Sequence, residues 1–337
     1  MNFFKIKNKI VGNKKVFIIA EIGINHNGDF SECIKLIENA KSSGADAVKL
    51  QIINPDESYS KNTKSYKVFK KNSLSFIEIN KINKFAKKKN IILFATPGDF
   101  ASLKIVKKLK FPAIKISSGL LTNIPLITES ARLNKPIIIS TGLAKISEIN
   151  EAIKTISKFH NNIAILKCTS IYPAPLKELN LLSIKSLESK FKKNVIGYSD
   201  HSLGDLACLT AVSLGAKLIE KHFTLNNKQA GADHKISLMP KEFKKMVNKI
   251  RNIEDCLGKK NVFPTKYEKN QKRFYHRTVV ASSLIKKCEK LNKLNISIKR
   301  SNIKGLRMHP RDYYKILGKT AKKNIKKDEL IRFKNIK

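Results

Sequence analysis

A chain of 337 residues is too long for one small domain and suits an α/β barrel of about 250 residues with a small appendage. Its apolar share of 42% is that of a globular protein, and apolar runs such as Val16 to Ile24 fall far short of the ~20 residues a membrane helix needs, so no span is expected. The formal charge of +42 would suit nucleic acid if it were clustered, but the lysines recur in nearly every helical segment; a solvated basic surface able to draw in small anions is the better reading.

The opening Met-Asn-Phe-Phe-Lys-Ile-Lys lacks the apolar stretch of a secretion signal, so a cytosolic location is expected. Cys33, Cys168, Cys208, Cys256 and Cys288 lie far apart with no Cys-x-x-Cys pair, so they read as reduced thiols and not as a disulfide framework or zinc ribbon.

Along the chain, a hairpin is expected over Phe4 to Lys15, turning at Gly12-Asn13. Eight β-rich apolar runs follow: Phe17 to Gly23, Ala45 to Gln51, Ile91 to Thr96, Ala113 to Ser118, Pro136 to Thr141, Ile163 to Thr169, Val195 to Ser199 and Leu218 to Thr224. Runs that are apolar on both faces belong to a parallel sheet. Amphipathic stretches alternate with them, among them Ser31 to Ser43, Ser73 to Lys89, Phe100 to Leu109, Ile146 to Phe159, Leu203 to Leu214 and Lys241 to Leu257, with Ser31 and Ser147 as expected N-caps. No Gly-x-Gly-x-x-Gly turn follows the first run, so the eight alternations predict an α/β fold built on a closed TIM (β/α)8 barrel and not an open doubly wound sheet.

The pattern breaks at Lys259-Lys260-Asn261-Val262-Phe263-Pro264. The expected division is a barrel over 1–258, a partly helical linker over 259–276, and a small, mostly β module over 277–337 with strands Thr278 to Ala281 and Ile296 to Lys299 and a helix His309 to Leu317.

Nearly every run ends in polar residues, and in such barrels the C-terminal strand ends converge on one mouth that holds the active site. These ends carry Glu21, Lys49, Gln51, Thr96, Lys115, Ser118, Ser140, Ser170, Tyr172, Ser199, His201, Glu220 and His222. Lys49 and Lys115 sit inside apolar runs, where a buried ammonium needs an anionic partner; with the hydroxyls of Thr96, Ser118, Ser140 and Ser199 they form a cradle for a phosphate-bearing carboxylate. Either lysine alone could instead lie on the outward pleat and reach past the helices to water. His201 and His222 end adjacent strands and could share one metal ion, Mn, Co, Fe or Zn by ligand type, although a lone histidine is more often structural. His26 and His234 read as turn and loop residues.

The motifs Ala-Glu-Ile-Gly-Ile-Asn-His-Asn-Gly-Asp, Ala-Asp-Ala-Val-Lys-Leu-Gln, Ile-Ser-Thr-Gly, Tyr-Pro-Ala-Pro, Gly-Tyr-Ser-Asp-His-Ser and Glu-Lys-His-Phe-Thr-Leu occur in this order. Together they resemble the sialic acid synthase (N-acetylneuraminate synthase) family, which includes legionaminic and pseudaminic acid synthases, over nearly the whole chain. The tail from Ile298-Lys299-Arg300 to Leu317-Gly318-Lys319 resembles the family's antifreeze-like (SAF) domain. The resemblance implies a transferase that condenses phosphoenolpyruvate with an N-acylated amino sugar, in a domain-swapped homodimer without nucleic-acid or membrane partners. It implies Lys49, Thr96, Lys115, Ser118, Ser140, Ser170 and Ser199 as phosphoenolpyruvate contacts and His201 and His222 as ligands of Mn²⁺, with Mg²⁺ or Co²⁺ as alternatives. Glu21 is implied as acid/base or water-orienting group, Gln51, Tyr172 and Asp233 as sugar contacts, and Arg300 as the residue the tail donates to the N-acyl group.

Three departures stand out, the mildest being Ser170, which stands where some relatives place Asn and keeps a hydrogen-bonding group. Leu120 replaces an acidic sugar-binding residue, which implies a less polar pocket and a deoxygenated acceptor such as a 2,4-diacetamido-trideoxyhexose in place of N-acetylmannosamine. The family's Arg-Pro-Gly-x-Gly turn is here Arg300 to Leu306, which implies a differently shaped loop. The competing readings are a 3-deoxy-heptulosonate or octulosonate synthase using a sugar phosphate, against which the tail module argues, a catalytically silent carbohydrate-binding barrel, and a basic nucleic-acid-binding protein.

Overall fold

A computed structural model describes residues 3–231, 233–303 and 307–337. Eight parallel strands close a barrel: β3 (Phe17–Gly23), β4 (Ala47–Ile52), β5 (Ile92–Pro97), β6 (Ile114–Ile116), β7 (Ile137–Ser140), β8 (Ile163–Cys168), β9 (Val195–Asp200) and β10 (Leu218–His222), with β10 pairing back to β3. Each of the eight apolar runs supplies one strand. The preceding hairpin, β1 (Phe4–Ile6) and β2 (Lys9–Val11), turns at Lys7-Asn8 and not at Gly12-Asn13. Lys7 takes the left-handed conformation (φ 52°) that the tight turn requires, and Gly12 (φ 100°) instead redirects the chain after β2 toward the barrel.

The pleat decides what each side chain meets. Inward residues Phe17, Ile19, Ala47, Ile92, Phe94, Ala113, Ile138, Ala164, Leu166, Val195 and Leu218 form one core, and Phe4, Ile6 and Val11 of the hairpin join it. The hairpin therefore closes the N-terminal end of the barrel, and the same inward pleat continues toward the mouth with polar residues. Gly197 lies in this filled interior, where a Cβ would come within 2.4 Å of the Leu218 carbonyl. The helices α1 (Phe30–Ser42), α2 (Pro55–Ser58), α3 (Lys64–Asn72), α4 (Phe76–Lys88), α5 (Phe100–Lys108), α6 (Ile124–Arg132), α7 (Ile146–Ser157), α8 (Ser183–Lys190), α9 (Leu206–Ser213) and α10 (Pro240–Leu257) alternate with the strands, and the outward pleat packs against all of them except α2 and α3, which place no residue in that core.

Helix starts differ from the expected caps. Asp29, not Ser31, caps α1 and accepts from the Glu32 amide; Lys145, not Ser147, precedes α7, where Glu148 accepts from the Lys145 amide (2.6 Å). In both cases a carboxylate was available a turn earlier or later to satisfy free amides. Among the described residues no helix is long and apolar enough to cross a membrane.

The chain divides into compact units at Met1–Gly258 and Lys259–Lys337. The second begins with α11 (Lys266–Tyr275), held by a Thr265/Glu268 capping box, and continues with β11 (Thr278–Ala281) antiparallel to β12 (Ile296–Lys299). Isolated bridges such as Ile285 with Ile325 and Ala321 with Ile336 surround a core of Val279, Ile285, Leu291, Ile296, Ile316, Ile325 and Ile331. The expected helix over His309 to Leu317 is two separate 3₁₀ turns, Pro310–Asp312 and Tyr314–Ile316. Pro310 suits the first turn of a helix, but only Ile316 of the second is buried, so no continuous apolar stripe holds a longer one. Lys304 to Leu306, part of the departing turn, lie outside the described residues.

Candidate active site

At the C-terminal ends of the barrel strands lies a cavity of about 650 Å³. Glu21, Lys49, Gln51, Lys115, Ser118, Ser140, Ser170, Tyr172, Ser199, His201, His222 and Asp233 all line it. Thr96 is buried at the end of β5, its hydroxyl lacking a hydrogen-bond partner, and is not part of the lining. Arg300 belongs to the second unit, directly after β12, with its guanidinium 5.5 Å from the centre of the Tyr275 ring.

Both lysines point inward and are buried. Their anionic partners come from the protein itself: Lys49 Nζ is 3.0 Å from Glu21 and 3.2 Å from Glu220, and Lys115 Nζ is 3.3 Å from Glu220. Lys115 also donates to Ser140 Oγ (2.7 Å), and Ser199 Oγ donates to Glu220 Oε1 (2.9 Å). Burial lowers the Lys49 ammonium to about 7 and Lys115 adds to the depression, against the pull of Glu220. Burial alone would raise the Glu220 carboxyl, but Lys115 and Lys49 outweigh it and hold it well below the usual range. Glu220 was legible as a strand end but carries no role in the sequence reading; its spacing of two from His222 is the signal that it shares the inward pleat.

Several buried atoms here remain without a hydrogen bond: both Glu21 carboxylate oxygens, Glu220 Oε2, Ser170 Oγ and His222 Nδ1. Polar atoms withdrawn from water normally find partners, so this concentration at one mouth is the property of a ligand site. Gly142 keeps the mouth open at this point. A Cβ there would come within 2.1 Å of Ser170 Oγ and 2.8 Å of Ser118 Oγ, and its N–H donates to Ser118 Oγ (3.0 Å).

The two histidines stand with ring centres 5.3 Å apart. His201 Nδ1 lies 2.8 Å from the Thr169 carbonyl, which fixes the proton there and leaves Nε2 as the lone-pair nitrogen, 3.0 Å from the Tyr172 hydroxyl. His222 is driven toward its neutral form by burial and then by His201 and Lys49, and its Nδ1 is 3.6 Å from the Asp233 carboxylate. Among the described residues no ready-made group of three His, Cys, Asp or Glu encloses a cation. The two imidazoles, with His222 Nδ1 unpartnered and His201 Nε2 facing only the Tyr172 hydroxyl, nevertheless fit a divalent ion that takes its remaining oxygens from water and substrate.

His26 and His234 are structural. His26 Nδ1 accepts from the Gly28 amide, and His234 bridges Thr224 Oγ1 (2.7 Å) and the Asn27 side chain (3.3 Å). Leu120 corrects the sequence reading: its side chain packs against the helix–strand core and does not line the cavity. Apolar character comes instead from Val68 and Phe69 of α3 and from Leu143, which is 84% exposed in the left-handed region (φ 66°). None of the three carries a sequence signal, because α3 is lysine-rich with no buried residue and Leu143 follows a strand as an ordinary loop leucine.

Residues 36–262 match the model of the NeuB family, and residues 276–337 match the SAF domain. The chain is 40% identical to the N,N'-diacetyllegionaminic acid synthase of Campylobacter jejuni, covering 95% of this chain and 99% of that protein. It is 36% identical to a pseudaminic acid synthase of the same species, covering 93% and 94%. The crystal structure of an N-acetylneuraminic acid synthetase from Leptospira borgpetersenii superposes with a TM-score of 0.78 at 34% identity, over 81% of this chain and 96% of that one. A closed parallel barrel whose mouth gathers lysines, glutamates and histidines, followed by a SAF domain, thus identifies this chain as an enzyme of the NeuB family, whose named relatives are nonulosonic acid synthases.

Proposed function

We propose that this enzyme condenses phosphoenolpyruvate with the open-chain form of an N-acylated amino sugar, and with water, to give a nonulosonic acid and inorganic phosphate. The observation that carries the reading is the convergence of Lys49 and Lys115 with Glu21, Glu220, His201 and His222 on one cavity wall. An incoming phosphoenolpyruvate exchanges its own negative charges for those of Glu21 and Glu220 against the lysines. Ser118, Ser140, Ser170, Ser199 and Thr96 supply hydroxyls to its phosphate and carboxylate.

A divalent cation on His201 and His222, Mn²⁺ first and Mg²⁺ or Co²⁺ next, supplies Lewis acidity to the sugar's aldehyde oxygen when bound. Carbon C3 of the enol ester attacks the aldehyde carbon, a C–C bond forms, the aldehyde oxygen takes a proton, and C2 gains oxocarbenium character. Water adds at C2 while Glu21, released from Lys49, orients it and accepts its proton. The bond between C2 and the phosphate oxygen then breaks, its electron pair leaves with phosphate, the C2 hydroxyl gives its proton to the departing phosphate, and C2 becomes the keto carbon. Lys49 and Lys115 oppose the negative charge throughout.

Gln51, Tyr172 and Asp233 position the sugar. The apolar lip of Val68, Phe69 and Leu143, together with the names of the legionaminic and pseudaminic relatives, favours a 2,4-diacetamido-trideoxyhexose over N-acetylmannosamine. In this reading Arg300 reaches the N-acyl group of the partner's site in a domain-swapped homodimer; mixing Arg300→Ala and Lys115→Met proteins should then restore part of the activity that each lacks.

Phosphate release from phosphoenolpyruvate by chelator-treated protein, with and without Mn²⁺, tests the reaction. Release restored by Mn²⁺ with an unphosphorylated acylamino sugar is expected, with the diacetamido sugar ahead of N-acetylmannosamine. Release only with arabinose 5-phosphate would reject the proposal.

A further inference from the structure

Behind the cavity, on the outward pleat of the same two strands that carry the histidines, lies a second charged cluster. Lys221 and Asp200 are Cα partners across β9 and β10 and are wholly buried. Lys221 Nζ donates to Asp200 Oδ2 (2.7 Å) and to the Ser202 carbonyl. Asp200 Oδ1 accepts from the Tyr198 hydroxyl (3.0 Å), the Ser202 amide (2.9 Å) and the Ser202 hydroxyl (2.8 Å), while the Cys208 thiol of α9 approaches Oδ2 at 3.4 Å. Strand alternation places His201 next to Asp200 and His222 next to Lys221, so this pair and the histidines occupy opposite faces of the same short segments.

Stability alone gives a weak reason for such a pair. Two charges withdrawn from water regain little net free energy, and apolar side chains of similar shape often hold a fold as well or better. What an apolar pair cannot do is grip the backbone of Ser202 at both its N–H and its C=O. That grip makes His201 the middle residue of a turn closed by Asp200, and it ties the exit of β9 to Lys221, the residue before His222.

We infer that Asp200 and Lys221 are positioning residues that hold the backbone beside His201 and His222 so that both imidazoles meet one divalent cation. The inference rests on the reading of His201 and His222 as the cation's ligands. Neither Asp200 nor Lys221 touches substrate or cation. They act as the outer partners of metal-binding histidines act elsewhere, fixing the orientation of a ligand they do not replace.

Calorimetric titration of Mn²⁺ into substrate-free protein tests this. The variant Asp200→Leu/Lys221→Met removes both charges together and is expected to fold, with a melting temperature close to the wild type, but to bind Mn²⁺ roughly 10–100-fold more weakly. Unchanged Mn²⁺ affinity in the folded double variant would overturn the inference. Absence of Mn²⁺ binding by the wild type would overturn the reading of the histidines and this inference with it. Should the double variant not fold, Asp200→Asn, which keeps an acceptor for the Ser202 amide but weakens the hold on Lys221, is expected to lose affinity to a lesser degree. Wild-type affinity in that variant would likewise overturn the inference.

Discussion

On β9 and β10 two clusters of buried charge stand back to back. On the outward pleat, Asp200 and Lys221 meet each other and fill their remaining hydrogen bonds with Tyr198, Ser202 and Cys208. On the inward pleat, Glu220 shares two lysines, Glu21 sits near Lys49 without a well-formed hydrogen bond, and His222 Nδ1 and Ser170 Oγ have none. Both clusters are equally removed from water. The difference is completeness, and it separates charge that organises the fold from charge held ready for a ligand.

The largest expected effect breaks the complete cluster. Lys221→Met leaves Asp200 buried without its cation, which costs about 3–5 kcal/mol; the denaturation midpoint should fall accordingly, and an unchanged midpoint would erase the contrast between the two faces. Next is the incomplete cluster. Lys115→Met should lower kcat/KM by roughly 10²–10³-fold while moving the midpoint little, because Glu220 retains Lys49 and the Ser199 hydroxyl. A Lys115 variant that fails to fold would place this lysine with Lys221.

A pH profile sharpens the same contrast. Lys49, lowered to about 7 by burial, is charged below that pH and neutral above it in the free enzyme. The kcat/KM for phosphoenolpyruvate should therefore fall as pH rises beyond 7, approaching roughly tenfold per unit, and Lys49→Arg should flatten the profile. A wild-type profile level to pH 9 would contradict the depressed ammonium. The smallest effect lies at the lip, where Leu143→Ala should raise the acceptor's KM by up to roughly tenfold without changing that of phosphoenolpyruvate.

The eight strands were legible because runs buried on both faces leave little ambiguity, and Lys49 and Lys115 were legible because an ammonium inside such a run demands a partner. That the partners are Glu21 and Glu220 follows from closure of β10 onto β3 and β9, a contact no local pattern reveals. Helix starts misled because serine and aspartate compete for the same amides, as at Asp29 and Ser31. Lys221 and Asp200 carry no role in the sequence reading because they lie inside the motifs Glu-Lys-His-Phe-Thr-Leu and Gly-Tyr-Ser-Asp-His-Ser beside the histidines, although parity turns them away from the mouth. Leu120 misled because sequence position alone does not say which way a side chain in a 3₁₀ turn points.

The most direct test of the central claim is calorimetric binding of phosphoenolpyruvate to the wild type, to Lys115→Met and to Asp200→Leu/Lys221→Met, without Mn²⁺ or sugar. Binding that is lost in Lys115→Met and kept in the double variant is the expected result. Equal binding by the wild type and Lys115→Met would contradict the assignment of the inward cluster to phosphoenolpyruvate.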